Sequence, residues 1–359
     1  MRGNRKHYAK KLAIAVTAVS LLGTLCLTGC AGEREENELA YRQIGLNCME
    51  SGDYTGAVAA FDSALSQCLG TIGETEIDIC YYKAASQYAS GDADGALETY
   101  DALIAYDEKD ANAYYTRGCL RLQRGEGELA FEDFSNAVAY NSEDYELYIN
   151  IYKNLAAYHL NEQGEEYLNR AFSIKGDSAE NLAYRGELYL LLGEYENAIT
   201  ELNAALEKGS TEANLVLAQT FEAQGDVTTA ETYYRAYVDS GAADSKTMNA
   251  LAEIAMAKFD YVSALNYINQ GLAMEQVTNK RELMQNQIIC LEYTADFIGA
   301  WQVVQEYVML YPNDTDVQRE YIFLKNRQNS VDEDIQIQAE VETMDSTEQQ
   351  DSTEDVSTE

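Results

Sequence analysis

The sequence predicts an all-α fold made of about eight helix-turn-helix repeats followed by a C-terminal cap helix. The clearest copy runs from Asp110 to Asn141, where a capping Asp opens one helical pattern and a turn at Gly125 leads into a second. Degenerate copies recur at a period of about 34 residues between Glu38 and Asp314. A hairpin of this size cannot bury its apolar face alone, so we expect the copies to stack on one another.

A small residue recurs in the second helix of every copy. In the clearest copy this residue is Ala130, and we expect Gly118 to face it, so that the backbones of the two helices come close. Tyr114 and Phe134 are then expected to fill the ends of this contact. The eight small residues are Ala57, Ala96, Ala130, Gly164, Ala198, Ala230, Ala264 and Ala300. This pattern resembles the tetratricopeptide repeat family, and the resemblance implies a right-handed superhelical solenoid over residues 38–314.

Some copies depart from the pattern. The glycine of the first helix is replaced by the bulky residues Tyr152 and Ile288, and we expect the helix pairs of repeats four and eight to open slightly. The turn glycine is replaced by Phe259 and Ala295 in the last two repeats, and the turn motif is absent around His159.

The N-terminal 29 residues resemble an export signal rather than part of the fold. A basic head is followed by an apolar run from Leu12 to Leu27, and then by Leu27-Thr28-Gly29-Cys30. This ending resembles the lipobox of bacterial lipoproteins, which implies cleavage before Cys30 and lipidation of its sulfur. Residues 30–37 would then be a lipidated tether on the extracytoplasmic side of the bacterial cell membrane. An uncleaved transmembrane anchor is the alternative, and it places the repeats on the same side.

The C-terminal end divides into a cap and a tail. Residues 315–328 predict a capping helix in which Val317, Tyr321 and Leu324 cover the eighth repeat. Residues 329–359 hold many acids and no basic residue, which is typical of a disordered tail.

The chain is strongly acidic, with a formal net charge of −36. Such a charge repels phosphates, so nucleic acid is excluded as a partner, whereas a basic protein or peptide would be attracted. The alternative is that the acidic residues only keep an exported helical array soluble.

Catalytic and metal-binding patterns are absent from the sequence. The cysteines that remain after the predicted processing include no CxxC pair, and His159 is the single remaining histidine. We therefore predict neither an enzyme nor a cofactor or metal site. Cys68 and Cys80 flank the loop between repeats one and two and could pair in an oxidising compartment. We interpret the other remaining cysteines, Cys48, Cys119 and Cys290, as small apolar residues within helices.

The family resemblance implies that first helices line a concave groove in which a partner is held. The candidate groove residues are Tyr81, Tyr82, Tyr115, Asn150, Lys153 and Tyr184. Further positions in this register include Ile149, Ala183, Val216 and Asn249. Tyrosine in a groove favours stacking and hydrogen bonding. We therefore expect a membrane-anchored scaffold for protein–protein interaction, and the alternative is a glycan-binding or cell-wall-binding accessory of a polymer export or wall-building machine.

Overall fold

The computed structural model describes residues 30–68, 70 and 72–329, and these residues form helices and connecting turns with no strand. The predicted signal peptide and residues 330–359 of the predicted tail lie outside the described residues. The chain divides between Lys175 and Gly176 into two compact units, called here the first unit and the second unit. The predicted all-α fold of repeated helical hairpins is confirmed.

The first unit holds four hairpins, α1/α2, α3/α4, α5/α6 and α7/α8, and the second helix of each of the first three packs on the first helix of the next. Its helices are α1 Cys30–Glu50, α2 Tyr54–Leu65, α3 Glu74–Ala89, α4 Ala93–Tyr106, α5 Ala111–Gln123, α6 Gly127–Tyr140, α7 Tyr145–Ala157 and α8 Asn161–Ala171.

The second unit repeats this arrangement with α9/α10, α11/α12, α13/α14 and α15/α16. Its helices are α9 Ala179–Leu191, α10 Tyr195–Glu207, α11 Glu212–Ala223, α12 Val227–Asp239, α13 Ser245–Ala257, α14 Tyr261–Leu272, α15 Lys280–Tyr293 and α16 Phe297–Leu310. A further helix, α17, covers residues 315–329.

Helix α1 begins at Cys30, so residues 30–37, for which the sequence predicts a tether, are helical in the structure. A helix rises about 1.5 Å per residue, so this segment is much shorter than an extended chain of the same length. At the other end, α17 buries Val317 and Leu324 against the eighth repeat, and the ring of Tyr321 lies 5.2 Å from that of Trp301.

All eight hairpins share one turn geometry. In the first, the amides of Gly52 and Asp53 donate to the carbonyls of Met49 and Cys48, which closes the end of α1. The hairpin at His159 makes the same pair of bonds, from His159 to Ala156 and from Leu160 to Leu155. The turn at His159 is therefore present in the structure, although the turn motif is absent from the sequence there.

Three of these turns place a residue other than glycine in the left-handed region. The φ angles are 61° at His159, 61° at Phe259 and 63° at Ala295. A side chain in this region is strained, so the stacking of the repeats determines the turn even where the sequence does not favour it.

The first-helix glycines make room for a large side chain of the second helix. A Cβ added at Gly118 would lie 2.8 Å from the ring of Phe134, and one added at Gly45 would lie 2.4 Å from the ring of Phe61. At Gly186 the corresponding neighbour is Leu202, at 2.4 Å. Phe134 therefore fills the space left by Gly118, and the expectation that Phe134 packs at the end of the contact is wrong.

In repeat four the large and small residues have exchanged places. Tyr152 stands where other first helices carry glycine or alanine, and Gly164 stands where other second helices carry alanine. A Cβ added at Gly164 would lie 2.9 Å from Cδ2 of Tyr152. The missing methyl group thus accommodates the tyrosine that we expected to open this hairpin.

Candidate binding surface

The candidate groove residues all lie on first helices, as predicted from the sequence. They are divided between the two units. Tyr81 and Tyr82 lie on α3, Tyr115 lies on α5, and Asn150 and Lys153 lie on α7. Tyr184 lies on α9 and belongs to the second unit. The first unit therefore carries the surface that can be built from the predicted residues.

Tyr81 joins two consecutive repeats. Its hydroxyl donates to Oδ1 of Asp110 over 2.7 Å, and this oxygen also accepts the amide of Ala113 at the start of α5. The ring lies 6.2 Å from that of Tyr100. Burial, followed by the bond to Asp110, raises the pKa of Tyr81, so its hydroxyl stays protonated and keeps donating. Tyr81 therefore contributes to the register of the repeats as well as to their surface.

Tyr82 lies between the first and second repeats. Its ring stacks on Phe61, with ring centroids 6.0 Å apart and an angle of 18° between the planes. The guanidinium of Arg42 lies 5.4 Å from the centroid of Tyr82 and forms an ion pair with Asp78 over 2.6 Å. The ring is only partly exposed, so one part of it holds the repeats together and the remainder is available to a ligand.

Tyr115 belongs to a polar cluster that reaches the next first helix. Nδ2 of Asn154 donates over 2.9 Å to the Tyr115 hydroxyl and over 2.9 Å to the carbonyl oxygen of Asn150. The Asn150 and Lys153 side chains on the same helix are exposed. Burial raises the pKa of Tyr115, so this hydroxyl is protonated as well. Tyr115, Asn150, Lys153 and Asn154 are called here the polar cluster.

Sequence reasoning missed Asn154. Its position four residues after Asn150 places the two side chains on one helix face, and this spacing is the signal that could have identified it. The hydrogen bond to Tyr115, by contrast, joins residues 39 positions apart and depends on the packing of α7 against α5.

Several other predicted groove positions are buried. Ile149, Ala183, Val216 and Asn249 are each at most 8% exposed. Consecutive helix residues point about 100° apart, so one member of an adjacent pair turns towards the neighbouring helix. In repeat four Ile149 is buried and Asn150 is exposed. The candidate surface therefore includes Asn150 but not Ile149. Tyr184 is half-buried.

The arginines next to this surface are held by carboxylates. Asp133 is fully buried, and it accepts from Arg117 over 2.6 and 3.0 Å and from Arg121 over 2.9 Å. Arg117 also pairs with Asp101 of the preceding repeat over 2.6 Å. These arginines are therefore part of the framework and are not free to bind an acidic ligand.

The thiols of the described residues do not form a reactive site. Burial raises the pKa values of Cys80 and Cys119 to about 11, and those of Cys68 and Cys290 also rise to about 11, so all four are protonated at neutral pH. Cys68 and Cys80 are not joined by a disulfide bond in this structure. Within the described residues, no three His, Cys, Asp or Glu side chains are grouped so that they could hold a metal ion. No helix of this part of the chain is both long and apolar enough to span a bilayer.

Comparisons with known proteins agree with the repeat pattern. A family model described as tetratricopeptide repeat matches residues 83–146 and 185–245. A chicken (Gallus gallus) protein, DnaJ homolog subfamily C member 3, is 25% identical over 202 residues, which cover 51% of this chain and 39% of that protein. This chain thus spans less than half the length of that relative.

Two solved structures are also similar. A tetratricopeptide repeat protein from Parabacteroides merdae is 14% identical with a TM-score of 0.47, and the match covers 71% of this chain and 99% of that one. PilW, a type IV pilus biogenesis factor, is 16% identical with a TM-score of 0.44, and the match covers 58% of this chain and 97% of that one.

Proposed function

Because this chain is a tetratricopeptide repeat protein, we propose that it is a scaffold that holds one partner protein on the first-helix surface of its first unit. Such proteins in general bind other proteins and do not catalyse reactions. The polar cluster supports this choice of surface. It combines a half-buried tyrosine ring, one exposed and one half-buried amide group, and an exposed lysine on two neighbouring helices. This mixture suits recognition of a peptide by stacking and hydrogen bonding.

The proposal includes a location. Residues 1–29 would be a lipoprotein signal peptide, and Cys30 would carry the lipid that anchors the mature chain on the extracytoplasmic side of the bacterial cell membrane. The order of basic head, apolar run and Leu-Thr-Gly-Cys supports this part. Two or more acyl chains hold a protein durably on a bilayer, whereas one chain holds it only reversibly.

The partner is proposed to be basic. The net charge of −36 attracts a positively charged protein over a distance and raises its rate of association. This attraction is screened by salt, so binding should weaken as ionic strength rises.

The test compares two double variants in partner capture from solubilised membranes. Asn150→Ala with Lys153→Ala removes two exposed groups of the polar cluster. Asn169→Ala with Lys175→Ala is the matched control, because it removes the same residue types from exposed sites on α8 and in the loop after it. We expect the control and the wild-type chain to capture the same protein and the polar-cluster variant to capture much less.

Equal capture by both variants would contradict the proposed surface. Binding to isolated cell wall, lost only in the polar-cluster variant and with no protein captured, would replace the protein partner with the glycan alternative. Circular dichroism controls for folding, since helix content should be the same in all three chains.

A further inference from the structure

The turns of repeats seven and eight differ from those of the other repeats in the second unit. In repeat seven the turn position is Phe259, whose side chain is 80% exposed and whose φ is 61°. A bulky residue in the left-handed region is a genuine outlier, because its Cβ crowds the backbone. Five other turns of the chain use glycine at this position, namely Gly52, Gly91, Gly125, Gly193 and Gly225.

Further exposed apolar side chains lie beside Phe259. Val262, the second residue of α14, is 72% exposed, and Tyr293 and Ile298 flank the turn of repeat eight at 67% and 63% exposure. The rings of Tyr261 and Tyr293 stack with centroids 4.3 Å apart and an angle of 4° between the planes, which holds the two turns side by side. Phe259, Val262, Tyr293 and Ile298 are called here the apolar edge.

Phe259 itself contributes little to the isolated fold. The turn at Phe259 is strained, and its side chain is only slightly buried in return. Strain at an exposed aromatic residue points to a role outside folding, because a glycine would make the same turn without strain. Several exposed apolar side chains on two neighbouring turns are typical of an interaction site.

The charges around the apolar edge are mainly acidic. Asp260 and Asp296 cap α14 and α16, and among the described residues neither is paired with a lysine or an arginine. Two nearby cations already have partners, because Lys258 pairs with Glu231 and Arg327 lies 3.6 Å from the ring centroid of Phe297.

We infer that the apolar edge docks an amphipathic helix of a partner protein, whose apolar face is flanked by lysine or arginine. The apolar face would cover Phe259, Val262 and Ile298, and its basic flanks would meet Asp260 and Asp296. A second copy of this chain fits less well, because each copy carries a net charge of −36. An anionic lipid surface would be repelled by the same acidic rim.

The inference is tested with the full chain and two designed peptides. One is a Leu/Lys amphipathic helix, and the other has the same leucines with glutamate in place of lysine. Trp301 is the single tryptophan of the chain, and it lies three residues after Ile298 on α16, so its fluorescence reports on this edge. We expect the Leu/Lys peptide to change the Trp301 emission saturably and the Leu/Glu peptide to leave it unchanged.

Variants identify the site of this binding. Phe259→Gly should weaken binding of the Leu/Lys peptide at least about tenfold, because loss of an aromatic anchor at an interface has an effect of this size. This variant removes backbone strain, so it should fold at least as well as the wild-type chain, and lost binding cannot be attributed to unfolding. Leu129→Gln removes an exposed leucine from the first unit and should leave affinity unchanged.

Three results would overturn the inference. The first is equal affinity of wild type and Phe259→Gly for the Leu/Lys peptide, or no binding by either. The second is self-association of the free chain in sedimentation that Phe259→Gly abolishes, which would identify a second copy as the occupant. The third is binding to neutral phosphatidylcholine vesicles that depends on Phe259, which would identify a lipid surface.

Discussion

At Phe259 and at the equivalent His159 and Ala295, an L side chain occupies the left-handed conformation that glycine holds in the other turns. The amide of the turn residue and the amide that follows it close the first helix in the same way in all eight hairpins. The geometry of the turn is therefore fixed by hydrogen bonding and packing, and the identity of the residue determines how much strain the fold carries there.

Phe259→Gly should stabilise the chain by about 1 kcal/mol, because it removes the left-handed strain of a residue whose ring makes little contact. Thermal melting followed by circular dichroism measures the effect. Ala257→Gly is the control, since a glycine within the last turn of α13 should lower stability. A lower melting temperature for Phe259→Gly would show that the ring contributes to the fold.

Asp133 is the residue whose loss should cost most. It is fully buried and is bound by both Arg117 and Arg121, so Asp133→Ala leaves two partly buried guanidinium groups without their carboxylate. We expect a loss of roughly 3 to 5 kcal/mol in the free energy of unfolding, measured by urea denaturation.

Asp101→Ala is the matched control for Asp133, because it removes a more exposed carboxylate from the same arginine, Arg117. An exposed pair contributes little, so this change should cost less than about 1 kcal/mol. Similar losses in the two variants would mean that burial of Asp133 does not determine its contribution.

At the scale of the helical element, repeat four shows how a hairpin tolerates an exchange of large and small residues. Tyr152 and Gly164 are each unusual at their positions, and each is explained by the other, since no Cβ fits at residue 164 while the tyrosine is present. The pair acts as one unit of packing between α7 and α8.

A double-mutant cycle tests this coupling. In a Tyr152→Ala background, Gly164→Ala should stabilise the chain by about 1 kcal/mol, because alanine favours the helix. In the wild-type background the same change should instead destabilise it, by up to about 2 kcal/mol, because the methyl group overlaps the ring. The measurement is chemical denaturation of the four chains. The same effect of Gly164→Ala in both backgrounds would disprove the coupling.

An acid pair, Glu292 on α15 and Glu320 on α17, makes a contribution to stability that depends on pH. Burial, followed by the hydrogen bond to Glu320, raises the pKa of Glu292 from 4.5 to about 8. Between pH 4.5 and about 8, the folded chain therefore keeps a proton on Glu292 that the unfolded chain has already released. Its contribution to stability is fully present below pH 4.5 and is lost as the pH rises through about 8.

Loss of this contribution should therefore lower the melting temperature as the pH rises from 4.5 to about 8. Glu320→Gln keeps a hydrogen-bonding partner but removes the second acid, so this decrease should be smaller. Melting curves of the two chains across this pH range provide the measurement. Parallel pH profiles for wild type and Glu320→Gln would contradict the shared proton.

At the scale of the whole molecule, the proposed scaffold would have to meet its proposed basic partner. The charge of −36 is the basis for proposing a basic partner. The proposed lipid on Cys30 would restrict the search for a partner to the membrane surface.

Cys30→Ala should abolish lipid labelling and either leave the signal uncut or release the protein from the membrane, because the proposed anchor depends on one sulfur. Labelling with a radioactive or clickable fatty acid, followed by membrane fractionation, measures both effects. Cys48→Ala is the control, because it removes a thiol from within α1 and should leave labelling unchanged. Persistent labelling of Cys30→Ala would exclude the lipoprotein proposal.

The sequence by itself determined the all-α class, the repeat period and the position of the small residue in each second helix. These features follow from local preferences and short spacings, such as the 3.6-residue helical period and the turn glycine, which act within one hairpin. The helices on which the candidate groove residues lie were predictable for the same reason.

Only the tertiary structure decided which of those residues face a neighbouring repeat. Tyr81 reaches Asp110 across 29 positions and Asn154 reaches Tyr115 across 39, and no local pattern encodes such contacts. The same holds for the turn at His159, where stacking imposes a conformation that the residue itself disfavours. Packing between repeats depends on the shapes of side chains from two hairpins at once, so it is settled only when both are in place.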